Sequence, residues 1–174
     1  PWLARGRATP ALLLAAALGV AACGNAKPRL PEGEAAPDFQ AKLLSGSPFK
    51  LSGLKGKVAL LDFWATWCGP CEETIPHLAE LYKLHRGRGL EVVGVSLDDA
   101  PEDVPGYVRS HAMLYPIFVD EEKSVMDLYG VRSVPTTVLV DRKGRIRGRW
   151  LGAGPEIEKE LDAAIATLLD EGAG

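Results

Sequence analysis

The sequence predicts an α/β protein: a three-layer α/β/α sandwich around a central mixed β-sheet, with a β-hairpin extension on its N-terminal side. Three observations carry that prediction. "VALLDFWA" at 58–65 and "LEVVGVSLD" at 90–98 are apolar almost throughout, as strands covered on both faces must be. Helical and strand periods alternate around them. The chain then closes on a hairpin and a helix, so its sheet must combine parallel with antiparallel neighbours. With 174 residues, nearly half apolar and a quarter charged, there is room for one such core and not for a second full domain.

Taken in order, "DFQAKLLSGSPFKLSGLKGK" from Asp38 offers two short alternating segments around "SGSP", a hairpin, followed by a "GLKGK" turn. After the 58–65 strand, Ile75, Leu78, Leu81, Tyr82 and Leu84 recur at helical spacing until "RGRG" stops the pattern, and Pro76 should kink that helix. The 90–98 strand leads into "APEDVPGYVRSHAM", a loop with a short helix, and then to "YPIFVD", a strand. "EKSVMDLYGV" reads as a helix ending at Gly130. "PTTVLVD", "DRKG" and "RIRGRWLG" form strand, turn and return strand. "GPEIEKELDAAIATLL" is a final helix with Pro155 in its first turn, where a missing N–H costs nothing.

The first 22 residues read as a signal peptide rather than as fold. Arg5 and Arg7 precede "ALLLAAALGVAA", an apolar run too short to span a bilayer as a helix. "LGVAAC" resembles the lipobox of bacterial lipoproteins, in which cleavage falls before the cysteine and the thiol, here Cys23, is lipidated. An ordinary signal peptide or an uncleaved anchor is the other reading. Residues 23–34, rich in Pro, Gly, Ala and charge, then form a lipidated Cys and flexible tether, and 35–174 the folded domain. Cleavage would remove Arg5 and Arg7 and leave 18 basic against 23 acidic side chains. No basic block suggests a nucleic-acid partner.

Cysteine use is sparse. Beyond Cys23 there are only Cys68 and Cys71, so no disulfide framework supports the domain. A zinc site needs four ligands, yet no second Cys pair exists, and His77, His85 and His111 lack ligand spacing and read as surface or boundary residues, so no metal is expected. A Cys68–Cys71 staple would close a loop too short to restrict the unfolded chain. Chemistry explains the pair better. At the start of a helix that follows a buried strand, Cys68 meets unpaired N–H groups and the positive end of the macrodipole, which favour its thiolate and make it the attacking sulfur. Cys71, one turn further in, can resolve the mixed disulfide. Gly69 lets a partner backbone approach, and Pro70 fixes the first turn.

"WCGPC" at 67–71 resembles the active site of the thioredoxin superfamily, and the likeness extends along the chain. Asp62 stands where thioredoxins carry a buried acid, Trp64 where they carry a tryptophan, and Pro76 where they carry the helix-kinking proline. "YGVRSVPTTVLVDRKGRI" is similar to the segment bearing their cis-proline, here Pro135, and "LGAG" to the turn before their last helix. The opening "APDFQAKLLSGSPFKLSGLKGKVALLDFWATWC", the long loop and helix at 100–113 and the lipobox resemble the membrane-tethered, extracytoplasmic members of the TlpA and ResA type. The similarity covers roughly 35–170 and implies a thioredoxin-like fold with a redox-active Cys68–Cys71 disulfide.

An acid on a central strand is costly unless it has a task, and a buried carboxylate with a raised pKa suits Asp62 to take the proton of Cys71; the alternative is an Asp at the strand edge capping amides. Where thioredoxins often place a lysine near this acid, the alignment puts Gly94. Val134 and Pro135 are either a substrate-pairing segment beside Cys68 or an ordinary edge-strand proline, and the resemblance selects the former. Trp67 reads as part of the apolar rim around Cys68, or as packing, and Trp64 as core. "DDAPED" and "DEEK" read as solvated loops rather than calcium sites. Glu72 and Glu73 suit the helix's first turn yet oppose a thiolate.

The resulting expectation is an extracytoplasmic, membrane-anchored thiol–disulfide oxidoreductase that needs no cofactor and acts on substrate proteins with disulfides. The Gly-Pro pair resembles that of reducing members. A membrane thiol donor would regenerate the dithiol, and the resemblance implies apocytochrome c as one substrate. Two other functions compete. A peroxiredoxin-like peroxidase would need a P-x-x-x-T-x-x-C pattern, but Ala65 stands three residues before Cys68. A lipoprotein adaptor or chaperone would use the Pro135 groove for binding alone.

Overall fold

The computed structural model describes residues 31–171. The expected signal peptide, Cys23 and most of the tether lie outside the described residues. The chain forms the predicted sandwich. Strands β3 (Val58–Trp64), β4 (Leu90–Ser96), β5 (Ile117–Val119), β6 (Thr136–Val140) and β7 (Ile146–Leu151) make a five-stranded sheet in the order β5-β4-β3-β6-β7. β3 runs parallel to β4 and antiparallel to β6, and β4 parallel to β5. All seven β3 residues are buried, which is what an apolar run broken only by Asp62 required of the central strand. A separate hairpin pairs β1 (Gln40–Lys42) with β2 (Pro48–Lys50) around the "SGSP" turn.

Alternation along β3 sends its side chains into two cores. Leu60 and Trp64 join Ile75, Leu78 and Leu81 of α1 (Gly69–His85), Val104 of α2 (Val104–Ser110) and Leu161, Ile165 and Leu168 of α4 (Pro155–Asp170). Leu61 and Phe63 face the other way, onto Phe39, Phe118, Tyr129 and Val125 of α3 (Ser124–Leu128). Pro76 lies inside α1, and Pro155 opens α4. The "RGRG" stop is a short 3-10 turn, after which Gly89 at φ +96° reverses the chain into β4. No helix among the described residues is long and apolar enough to cross a membrane.

Two elements are shorter than their sequence patterns. The "YPIFVD" strand keeps only Ile117–Val119, because Asp120 turns its carboxylate onto the N–H groups of Val125 and Met126 and so starts α3 instead of extending β5. Helix α3 begins at Ser124 because Lys123 enters it with φ +55°, which detaches Glu122 from the helix.

Candidate active site

The sheet delivers the cysteines. β3 ends at Trp64, and a short loop passes Ala65, Thr66 and Trp67 before Cys68, the N-cap residue of α1. Cys68 and Cys71 are joined in a disulfide with their Cα atoms 5.3 Å apart. Cys68 keeps 5% of its surface open and Cys71 none, so a partner meets Cys68 first. Trp67, Gly69 and Pro70 are exposed around it, and Trp67, at 68%, is an apolar side chain left in water at the mouth of the site. Glu72 and Glu73 are exposed on the first turns of α1, and Thr74 closes back on the Cys71 carbonyl at 2.9 Å.

Asp62 is wholly buried in the middle of β3, opposite Gly94 on β4 and Thr137 on β6. Neither carboxylate oxygen has a hydrogen-bond partner in the protein, which removes the edge-capping alternative. Burial alone pushes its pKa up to about 7. On β3 it faces the same side as Leu60 and Trp64, toward the core cluster that contains Cys68 and Cys71. Gly94 does take the register position expected for the thioredoxin lysine, so no cation offsets the acid from that strand.

The Val134–Pro135 bond is cis. Thr136, next in sequence, pairs with Phe63, which sets Val134 and Pro135 at the cysteine end of the sheet. The Pro135 carbonyl accepts the Gly152 N–H at 2.8 Å, and Val134 is half-buried against both cores. Trp64 is core, as its strand position implied.

One expectation is corrected. "DDAPED" and "DEEK" are not simply solvated loops, because Asp98 and Asp120 are buried, 3% and 4% exposed. The Asp98 carboxylate accepts from the Thr66 N–H and hydroxyl and from the Ser96 hydroxyl, while Lys123 donates to the carbonyls of Leu97 and Asp98. Asp98 thus fixes the loop that leads into Cys68. Its signal in the sequence was weak, since a run of acids reads as solvent-facing until the strand end that buries it is known. The histidines, all half-buried, serve separate contacts: His77 meets Asp162 at 2.9 Å, and His111 stacks on Tyr107 with ring centroids 3.8 Å apart. Among the described residues no group of three or more His, Cys, Asp or Glu could hold a metal.

Comparison with known proteins agrees with this geometry. Residues 33–149 match the AhpC/TSA family. The thiol-disulfide oxidoreductase ResA of Geobacillus thermodenitrificans is 35% identical over 139 residues, covering 78% of this chain and 80% of that protein. ResA of Bacillus subtilis is 35% identical over 120 residues, covering 69% and 67%. Among solved structures, a Chlorobium tepidum protein described as a thiol:disulfide interchange protein DsbE superposes with a TM-score of 0.77 at 33% identity, over 80% of this chain and 99% of that one. The chain therefore belongs to the AhpC/TSA family, as a thiol–disulfide oxidoreductase on a thioredoxin-like fold.

Proposed function

We propose that this oxidoreductase is a reductase of protein disulfides that works outside the cytoplasm, tethered to a membrane through lipidated Cys23. The observation that carries the exchange chemistry is the asymmetry of the pair: Cys68 caps a helix N-terminus with part of its surface open, and Cys71 is sealed behind it. In the reduced protein the Cys68 thiolate attacks a substrate disulfide, forming a mixed disulfide and releasing one substrate thiolate. Cys71 then gives its proton to Asp62 and attacks the Cys68 sulfur. The second substrate thiol leaves, two electrons have passed to the substrate, and the Cys68–Cys71 disulfide remains. A membrane thiol donor restores the dithiol.

Trp67, Gly69 and Pro70 offer the substrate an apolar, open rim, and the Val134–Pro135 segment pairs with it as a short strand. The signal-peptide pattern and the lipobox support the extracytoplasmic placement, and the resemblance of the sequence to the TlpA and ResA type supports apocytochrome c as a substrate. Trapping tests the reading. Cys71→Ser should accumulate proteins linked through Cys68 in intact cells, Cys68→Ser should trap none, and the purified protein should reduce insulin with a dithiol donor. A Cys71→Ser protein that traps nothing, together with no insulin reduction, rejects it; partner binding that survives Cys68→Ser without catalysis would favour an adaptor.

A further inference from the structure

Beside Asp62 lies a set of buried polar groups for which the exchange reaction has so far given no use. Tyr115 stands in the segment between α2 and β5 and is 4% exposed. Its hydroxyl, the Trp64 indole N–H and both Asp62 oxygens are buried without a hydrogen-bond partner in the protein. One such orphan can be tolerated as a packing cost, but Trp64 and Tyr115 in one core cluster, with Asp62 on the β3 face turned toward it, call for a common partner.

Gly94 explains how they come together. A Cβ at this position, directly across from Asp62, would lie 3.0 Å from Trp64 Nε1, 3.3 Å from Tyr115 Cε2 and 2.9 Å from Ile117 Cγ1. The space that a side chain on β4 would take is thus filled by the indole and the phenol, which reach it from β3 and from the segment before β5. Electrostatics reports the same proximity. Burial first, then the Asp62 charge, then Tyr107, push the Tyr115 hydroxyl well above its ordinary range. The Tyr107 ring stacks on Trp64 at 5.3 Å. Burial, then the charges of Glu72 and Asp98, raise the Tyr107 hydroxyl in turn.

We propose that a bridging water joins the Tyr115 hydroxyl and the Trp64 N–H to Asp62, so that Tyr115 is a positioning residue that sets how readily Asp62 takes the proton of Cys71. A water in such a site needs two to four polar partners, and these three groups supply them. The donors do for the carboxylate what a neighbouring cation would otherwise do: they favour its ionised, proton-accepting form. The inference rests on the role given to Asp62 above. The titratable groups in the core on that side of β3 are Cys68 and Cys71 at the start of α1, Tyr82 further along it, Tyr115 before β5 and Tyr107 on α2. Thr137 pairs with Asp62 from β6 and Gly94 from β4, and α4 brings Leu161 and Ile165 to the same core. Tyr82 of α1, whose ring meets Tyr115 at 6.2 Å, bonds instead to Glu91.

The test is the pH profile of single-turnover oxidation of the reduced full-length protein by insulin, followed by intrinsic fluorescence. Burial alone would put the inflection at about pH 7, the bridged donors should bring the wild-type inflection below that, and Asp62→Asn should abolish it. Tyr115→Phe removes one donor of ordinary strength, so the inflection should rise by about half to one pH unit and the rate at pH 7 should fall roughly two- to five-fold. In the Asp62→Asn background the same change should have no further effect. Replacement of Tyr115 by 3-fluorotyrosine, a stronger donor of nearly the same shape, should move the inflection down, which gives a readout even where the Phe variant folds poorly. A Tyr115→Phe profile that superimposes on wild type, or an effect that persists in Asp62→Asn, overturns the inference and leaves the role of Asp62 standing. An Asp62→Asn profile that keeps the inflection overturns both.

Discussion

At the scale of single residues, Asp62 places function against stability. Its carboxyl is buried with no charged partner, and its pKa rises from 3.8 to about 7 on folding. The folded state therefore holds a proton that the unfolded state has released between those two values. Stability is full below about pH 4, falls as pH rises toward 7, and stays low above it. The loss is on the order of 4 kcal/mol, three pH units at about 1.4 kcal/mol each. Asp62→Asn should consequently raise the denaturation midpoint at pH 8 and change it little at pH 4, by urea titration at both; equal shifts at the two pH values would reject the linkage. Asp62, Cys68 and Cys71 stand out in the sequence because each is anomalous locally, as an acid in an apolar strand or a paired thiol at a helix start, whereas Pro135, just before β6, was singled out only by the family resemblance. Tyr115 and Asp98 were not, since a tyrosine near a proline and an acid in an acidic run become informative only when strand register sets them beside Asp62 and Thr66.

At the scale of elements, periodicity located nearly every helix and strand, because β3, β4 and α1 carry burial patterns long enough to be read without their partners. The errors fell at β5 and α3, where Asp120 and Lys123 decide the boundary through a carboxylate cap and a left-handed turn, interactions that hydrophobic pattern does not encode. The β3–β4 contact carries its own requirement. Alanine in place of a strand glycine usually gains about 0.5–1 kcal/mol of backbone entropy. At Gly94 the new methyl would meet Ile117, Trp64 and Tyr115 at 2.9–3.3 Å in a closed core, and overpacking of that kind costs about 1–3 kcal/mol. Gly94→Ala should therefore lower the thermal midpoint by several degrees, whereas Gly53→Ala, with nothing within 4 Å of the added atom, should leave it nearly unchanged. Equal midpoints for the two variants would mean that the indole and phenol can move aside, and would weaken the case that they are held beside Asp62.

At the scale of the whole molecule, the chain enters the domain at the pole opposite its cysteines. Gly33 donates to the Ile146 carbonyl, and Ala35 bridges Arg145, both at the β6–β7 turn. Val140 at that turn pairs with Ala59 at the start of β3, whereas Cys68 lies beyond the far end of the same strand. Seven β3 residues at about 3.3 Å each separate the two poles by roughly 20 Å. A tether leaving from Gly33 would then hold the base of the domain to a membrane and present Cys68 and Trp67 outward, where a folded or extended protein can reach them. Among the described residues, both cores draw on side chains from Ala36 onward. A protein beginning at Pro31 should therefore keep its thermal midpoint and its rate of insulin reduction and lose membrane association, while Cys23→Ala in the full-length protein should impair anchoring and leave the rate intact. Fractionation of cells that express each form, with activity measured in both fractions, reads the two properties separately. A truncated protein that still sediments with membranes would place the attachment on the folded domain, and one that loses activity would make the N-terminal segment part of the catalytic unit.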